Sequence, residues 1–387
     1  MPCLPLCERP DHGRDGEPLF VKATITCGTS FRGGRGTTST GKDKLYSILE
    51  KGKSGVGLSK EECKYLLSFH ESSPESSLTR AAANDFTRRR LNNAGVIIGQ
   101  IGVDVGPCAG GCKFCVFAEQ HTNFERHTIS DDELIRKIEE LSEHGDLYGL
   151  FLMTMHTYDK DMLLHMIDVA KAHISPKTQL WINVGDTDYD TALELKRAGV
   201  RGAYHVCRLR EGIDTNLRPE DRIQTMRNML EAGLEIYTCC EPIGPEHTVE
   251  EIVDNFFIGI DMGCIQHACM RRIAVKGTHF GQYGQITELR LAQLCAVLSL
   301  TAPQVEGFKF MSVHEPNQAG FISGANLITA ESGGNPRDTN KDTRENRGWT
   351  MARCRKMLWE SGFTSLRLGD ESLIPLDLDY LDKTGSI

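Results

Sequence analysis

Val96-Ile-Ile-Gly-Gln-Ile-Gly-Val103 leads within a few residues into Gly106-Pro-Cys-Ala-Gly-Gly-Cys-Lys-Phe-Cys115. The first segment is an apolar run with strand character. The second gathers Cys108, Cys112 and Cys115 with the spacing Cys-x3-Cys-x2-Cys. Thiolates grouped this tightly select an iron–sulfur cluster or zinc. There are three of them, and no histidine lies within the run. A structural zinc is normally closed by four protein ligands, whereas a 4Fe–4S cluster on three cysteines keeps one iron open. Gly106, Gly110 and Gly111 let the backbone wrap closely around such a group.

Outward from this loop the chain repeats one unit, a capped helix that stops at a glycine and is followed by a short apolar strand. The stops are Gly145, Gly199, Gly233 and Gly263, each suited to the left-handed residue after a helix. Capping boxes at Ser59–Glu62, Ser130–Glu133 and Thr248–Glu251 mark helix starts. Strands are expected at 96–103, 148–155, 181–184, 200–206, 234–239, 265–275, 307–311 and 324–330. Strands alternating with helices imply right-handed βαβ units and a parallel sheet. The count fits an α/β fold of the (β/α)8 TIM type with an N-terminal helical extension. An open doubly wound sheet is the alternative. In both, a site belongs at the C-terminal strand ends, where the cysteine loop lies.

The expected organisation is a disordered tail over 1–42, a helical lead-in over 43–94, a barrel over 95–365 and a C-terminal tail over 366–387. In the lead-in, Leu78, Ala82 and Phe86 are expected on one buried face, and Arg88-Arg89-Arg90 as a solvated helix end. A polar stretch near 332–347 is longer than a normal connection, which implies a substrate lid or a disordered loop. Of the 387 residues, 40% are hydrophobic and 25% charged, ordinary for a globular protein. A net charge of −9 argues against a nucleic-acid surface. No run is long and apolar enough for a membrane span, and no signal core opens the chain. Fourteen cysteines without a signal peptide point to metal or redox use in a reducing cytoplasm. Cys3, Cys7 and Cys27 match no standard site.

With Phe114 just before its third cysteine, the loop resembles the signature of the radical S-adenosylmethionine (radical SAM) enzymes. The order of elements resembles their biotin synthase-like branch, which includes the iron-hydrogenase maturase and methylornithine synthase. The resemblance implies a 4Fe–4S cluster on Cys108, Cys112 and Cys115, with S-adenosylmethionine on the open iron. Reductive cleavage would then give a 5′-deoxyadenosyl radical that takes hydrogen from a small-molecule substrate. It implies a reductant such as flavodoxin or ferredoxin as partner, and no nucleic acid or membrane. It puts Phe114 near the adenine with Phe117 beside it. By position Arg222 matches the arginine that binds the carboxylate of S-adenosylmethionine, and Ile243 the hydrophobic residue that packs on the adenine.

Other residues are candidates on their own chemistry. Arg208, Arg210 and Arg222 form a possible carboxylate fork. Glu241 and Asn183, at strand ends, are candidates for ribose or substrate. His314, Glu315, Glu331, Asn335, Arg337 and Asp338 form a polar rim that hints at a polar substrate. Cys207, Cys239 and Cys240 read as small buried hydrophobes, and the strand at 150–156 lacks the cysteine expected of biotin synthase, so biotin synthesis is not favoured. An iron–sulfur electron carrier and a zinc-binding interaction protein are the alternatives from other classes.

Overall fold

The computed structural model describes residues 39–122, 124–333 and 349–387. The expected tail over 1–42, with Cys3, Cys7 and Cys27, falls almost entirely outside the described residues. So do most of the polar stretch 332–347 and Asn335, Arg337 and Asp338. The architecture is that of residues 41–387, with the first helix beginning at Ser39.

Eight parallel strands close into a barrel: β1 Ala94–Val105, β2 Gly149–Thr154, β3 Gln179–Asn183, β4 Gly202–Tyr204, β5 Glu235–Ile243, β6 Gln266–Arg271, β7 Phe310–His314 and β8 Leu327–Ser332. β1 closes the ring. It pairs with β2 from Ile98↔Gly149 and with β8 from Val96↔Leu327. Alternation then sorts the side chains. Ile98, Phe151, Trp181, Tyr237, Ala268 and Phe310 turn inward, while Ile97, Ile101, Leu150, Leu152, Ile182 and Ile236 join the layer under the helices.

Trp181 fills the lower barrel, fully buried and stacked on Phe151 with centroids 5.4 Å apart. Gly202 makes the room, since a Cβ there would fall 2.5 Å from Trp181 Cζ3. With its lower end filled by Trp181, the cavity among the described residues lies toward the C-terminal strand ends.

The lead-in is three helices, α1 Ser39–Lys53, α2 Lys60–Leu67 and α3 Pro74–Arg90. They are followed in chain order by α4 Asp131–Ser142, α5 Lys160–His173, α6 Tyr189–Arg197, α7 Pro219–Glu231, α8 Val249–Asp261, α9 Glu288–Thr301, α10 Gln318–Phe321, α11 Met351–Glu360 and α12 Leu378–Lys383. The Ser59–Glu62 and Thr248–Glu251 capping boxes are both formed. Gly145, Gly199, Gly233 and Gly263 all have positive φ. α9 is buried all round because it lies between barrel and lead-in. Its Gln293 Nε2 donates to Ser76 Oγ at 2.7 Å and to Phe69 O at 3.0 Å.

That polar bridge corrects the expected face of α3. Leu78 is exposed, and the buried stripe is Ser76, Thr79, Ala83, Phe86 and Thr87. Small and hydroxylic residues allow a close approach to α9. Of the arginine triplet, Arg89 is solvated and paired with Asp85, but Arg88 and Arg90 are not. Arg88 donates to Ser361 O and Gly362 O, and Arg90 to Phe308 O and Lys309 O. These arginines satisfy loop carbonyls around the barrel.

Residues 366–387 are built into the barrel's lower edge. β9 Ser365–Arg367 adds in parallel to the start of β1, and β10 Leu373–Pro375 pairs antiparallel with β9. α12 buries Leu381. Strands this short carry too few residues for periodicity to announce them.

Candidate active site

A cavity of about 1320 Å³, open solvent at its mouth included, occupies the C-terminal end of the barrel. Its wall includes Cys108, Cys112 and Cys115 on one side and Arg208, Arg222 and Glu241 on another. All three cysteines of the sequence motif thus open onto one space.

The cysteine loop is fixed at both ends. The β1 register slips between Gly102 and Asp104, and Asp104 is buried there. Its Oδ2 accepts from Arg126 Nη1 at 3.0 Å and its Oδ1 from Thr128 Oγ1 at 2.8 Å. A two-residue strand, His127–Thr128, returns against the end of β1. Within the loop, Cys108 N donates to Phe117 O at 2.8 Å and Glu119 N to Cys108 O at 3.1 Å. Gly110 N and Phe117 N point at Cys108 Sγ and Cys115 Sγ, each at 3.4 Å. Such amides stabilise thiolate charge.

The far side of the loop is clamped by the segment after β4. Asn216 N donates to Gly110 O at 2.8 Å and Lys113 N to Asp214 O at 3.0 Å. Gly111 takes φ +58°. Burial pushes the Cys112 thiol up to about 11 and raises Cys115 as well. Loading metal on this set therefore displaces protons. Among the described residues no three His, Cys, Asp or Glu side chains gather on a single-ion site. One zinc draws its sulfurs to about 2.3 Å from a common point. Three thiols on one side of a cavity, two of them met by backbone amides, suit a polynuclear cluster.

The charged residues form two groups. Arg222 is buried, with Nη1 on Asp186 Oδ1 at 2.6 Å and Nε on Val206 O at 3.0 Å. Arg208 Nε lies 3.1 Å from Glu241 Oε1. Burial alone would lower the Arg208 pKa, but Glu241 and Glu211 outweigh it and hold the guanidinium charged. Glu241 Oε2 also accepts from Tyr204 Oη at 2.5 Å. Arg210 does not join the expected fork. It has φ +53° and turns out to Glu251, with Nε on Oε1 at 2.6 Å. The fork is Arg208 with Arg222.

Phe114, Phe117, Asn183, Arg222 and Glu241 all line the cavity. Asn183 Nδ2 donates to Gln100 Oε1 at 3.4 Å. Ile243 does not line it, which corrects the expectation that it packs on the adenine. Along β5, Tyr237, Cys239 and Glu241 turn inward, and strict alternation would send Ile243 inward too. The register shifts between Cys240 and Ile243. Ile243 is thereby buried under the helices and Pro242 faces the cavity. Of the rim, His314 and Glu331 line the cavity. Cys207, Cys239 and Cys240 are buried.

Three residues that the sequence reading passed over meet beside Arg222. His156 Nε2 lies 3.8 Å from Asp186 Oδ2, and His205 Nε2 lies 3.6 Å from Oδ1. Burial, with Arg222 and Arg208 close by, depresses both histidines, so both are neutral near pH 7. They follow β2, β3 and β4 in turn. The rule that barrel chemistry sits at C-terminal strand ends was the signal that marked them.

No model of a known protein family matches the chain. The biotin synthase of Acetivibrio thermocellus is 25% identical over 209 residues, which is 51% of this chain and 64% of the relative. The chain thus spans less than two thirds of that relative's length. The biotin synthase of Clostridium perfringens is 22% identical over 274 residues, 68% of this chain and 83% of the relative. Methylornithine synthase PylB superposes with a TM-score of 0.69 at 15% identity, over 82% of this chain and 96% of that one. The FeFe-hydrogenase maturase HydG from Carboxydothermus hydrogenoformans gives 0.67 at 15% identity, over 84% and 79%. These two structures share the barrel architecture described above. Among the described residues no helix is long and apolar enough to cross a membrane. In sequence similarity to biotin synthases and in fold together, the chain resembles the biotin synthase-like branch of the radical SAM enzymes.

Proposed function

We propose that this chain is an enzyme that holds a 4Fe–4S cluster on Cys108, Cys112 and Cys115, binds S-adenosylmethionine in the barrel mouth, and acts on a small polar substrate. The observation that carries this reading is that the three thiols open onto the same cavity as Arg208, Arg222 and Glu241. Together the cluster and S-adenosylmethionine supply hydrogen-atom abstraction from an unactivated carbon, which no acid or base side chain can perform.

The chain's own residues do the rest. Arg222 offers its guanidinium to a carboxylate, with Asp186 and Val206 O fixing its plane. Arg208 and Glu241 add one charge of each sign, a pattern that suits a zwitterion better than a simple anion. Phe114 gives an apolar wall to a purine, and Phe117, 2% exposed and packed on Phe124, backs the loop against water. Asn183 and Gln100 present amides deeper in the barrel. The plug of Trp181 and Phe151 closes that end, so substrate enters past the cofactor and is held beside it. The electron comes from a carrier of the flavodoxin or ferredoxin type.

The test is anaerobic reconstitution with iron and sulfide, then dithionite and S-adenosylmethionine, with 5′-deoxyadenosine read by mass spectrometry. The parent should form it, and a Cys108→Ala, Cys112→Ala, Cys115→Ala variant should not. Four irons bound with no product across candidate substrates would favour an electron carrier. Zinc in place of iron would end the radical reading.

A further inference from the structure

We propose that Gln120, His121 and Asn216, none of them a cluster ligand, are positioning residues that set the reduction potential of the cluster by aiming backbone amides at its sulfurs; the inference rests on the proposed cluster chemistry. Each acts from outside, on carbonyl oxygens of the cysteine loop.

Asn216 holds two of these carbonyls. Its Nδ2 donates to Ala109 O at 3.5 Å and its backbone N to Gly110 O at 2.8 Å. Gln120 Nε2 donates to Gly111 O at 3.1 Å. His121 Nε2 lies 2.5 Å from Cys115 O. A carbonyl only accepts, so Nε2 carries the ring proton there. The turn beneath the ring is fixed in its own right, since His121 N and Thr122 N both donate to Ala118 O at 3.0 Å.

In a trans peptide the C=O and the following N–H point in opposite directions. A carbonyl held outward therefore turns the next amide inward. The first of the four shows the result. With Ala109 O on Asn216, Gly110 N points at Cys108 Sγ from 3.4 Å. By the same geometry the other struts turn Gly111 N, Cys112 N and Val116 N to the thiol side. Among the described residues no protein acceptor meets those three amides, although all three residues are buried. Buried amides without an acceptor are rare. Around three thiols they form a cradle that anionic sulfur satisfies. Donors to sulfur favour the more negative, reduced state of a cluster and so raise its potential. Core packing gives no reason for the struts, because Gln120 and Asn216 are exposed and His121 is half-buried.

The experiment is a potentiometric titration of the reconstituted full chain without S-adenosylmethionine. The reduced cluster is read by electron paramagnetic resonance, and iron per chain is measured alongside. Gln120→Ala and His121→Phe each remove one strut. The double variant should keep most of its iron and lose about tenfold in its one-electron reduction equilibrium, a fall of about 59 mV. Each single variant should move the same way by less. Glu119→Gln is the control, because it removes a charge beside the struts and leaves their carbonyls held, so its potential should not fall. A cluster-loaded double variant at the parent potential would overturn the inference. So would a Glu119→Gln variant that falls as far as the double one. Iron lost from both single variants, with the parent potential in the cluster that remains, would make the struts merely structural and overturn it too. A parent that takes up no 4Fe–4S cluster would defeat the proposed function and this inference with it, whereas a parent-like potential in loaded variants defeats this inference alone.

Discussion

Asn216 donates its backbone amide to Gly110 O over 2.8 Å, and its side-chain Nδ2 stands 2.1 Å from where a Cβ on Gly111 would fall. These contacts tie the cysteine loop after β1 to the segment after β4. That same segment carries Arg208 and, just beyond it, Arg222. Its turn is held by Glu211, which accepts from Arg208 N at 2.9 Å and from Thr215 Oγ1 at 2.6 Å. The thiols and the cavity's cations are thus parts of one hydrogen-bonded unit. What loosens the clamp should loosen both.

Gly111→Ala strikes that unit twice. An alanine at φ +58° costs about 1–2 kcal/mol, and its Cβ displaces Asn216. Iron per chain after reconstitution should fall to about half or less, since a cluster site retains metal only as well as its backbone holds it. Adding Asn216→Ala removes the collision and leaves the dihedral strain, so the double variant should recover part of the iron. Parent-like iron in Gly111→Ala alone would show that the clamp does not govern the site.

Arg222→Lys keeps the charge and loses the planar fork that spans Asp186, Val206 O and the cavity. Affinity for S-adenosylmethionine should weaken about tenfold, roughly 1.4 kcal/mol. Equilibrium dialysis on the cluster-loaded chain measures it. Arg210→Lys is the control, because Arg210 spends its guanidinium on Glu251 outside the cavity. Equal effects of the two changes would remove Arg222 from the cofactor's contacts.

The local signals in this chain were readable and the tertiary ones were not. Cap residues, glycine stops and apolar runs report the backbone of their own neighbourhood, and they marked all eight barrel strands and the cysteine loop. Ile243 escaped because a register slip two residues earlier reverses the alternation, and a slip leaves no mark on residue type. Arg210 escaped for a like reason, a left-handed residue two positions after Arg208. The His156–Asp186–His205 group is assembled from three strand ends spread over fifty residues, so only the closed barrel brings it together. Leu78 misled because α3 packs on a polar glutamine, where hydrophobicity is the wrong guide.

Buried histidines give the fold an acid limit. Burial pushes His267, in β6, down to about 4 from its ordinary 6.5. The unfolded chain therefore binds this proton first as pH falls. The stability is fully present above about pH 6.5 and is lost between there and about pH 4, by up to ~3 kcal/mol. His205 acts in the same direction. Urea midpoints near neutral pH and at about pH 5 should differ strongly in the parent and less in His267→Gln. The same pH dependence in both would mean that His267 is not among the groups that set the limit.

The C-terminal segment should prove structural through one buried carboxylate. Asp146, fully buried, pairs with Arg355 of α11, whose Nη2 donates to Oδ1 at 3.0 Å, and accepts from Tyr380 Oη of α12 at 3.0 Å. It thus joins the end of the α4 connection to both of the last long elements. Asp146→Ala leaves a 2% exposed guanidinium uncompensated and should cost about 3–5 kcal/mol in denaturant titration. Tyr380→Phe removes one hydrogen bond to a charged acceptor and should cost about 1–3 kcal/mol. Replacing both ionic partners, Asp146→Ala with Arg355→Met, should cost less than Asp146→Ala alone, because the larger part of that loss is the orphaned charge and not the missing attraction. If the double variant is as unstable as the single one, packing around the pair and not its charge holds the segment in place.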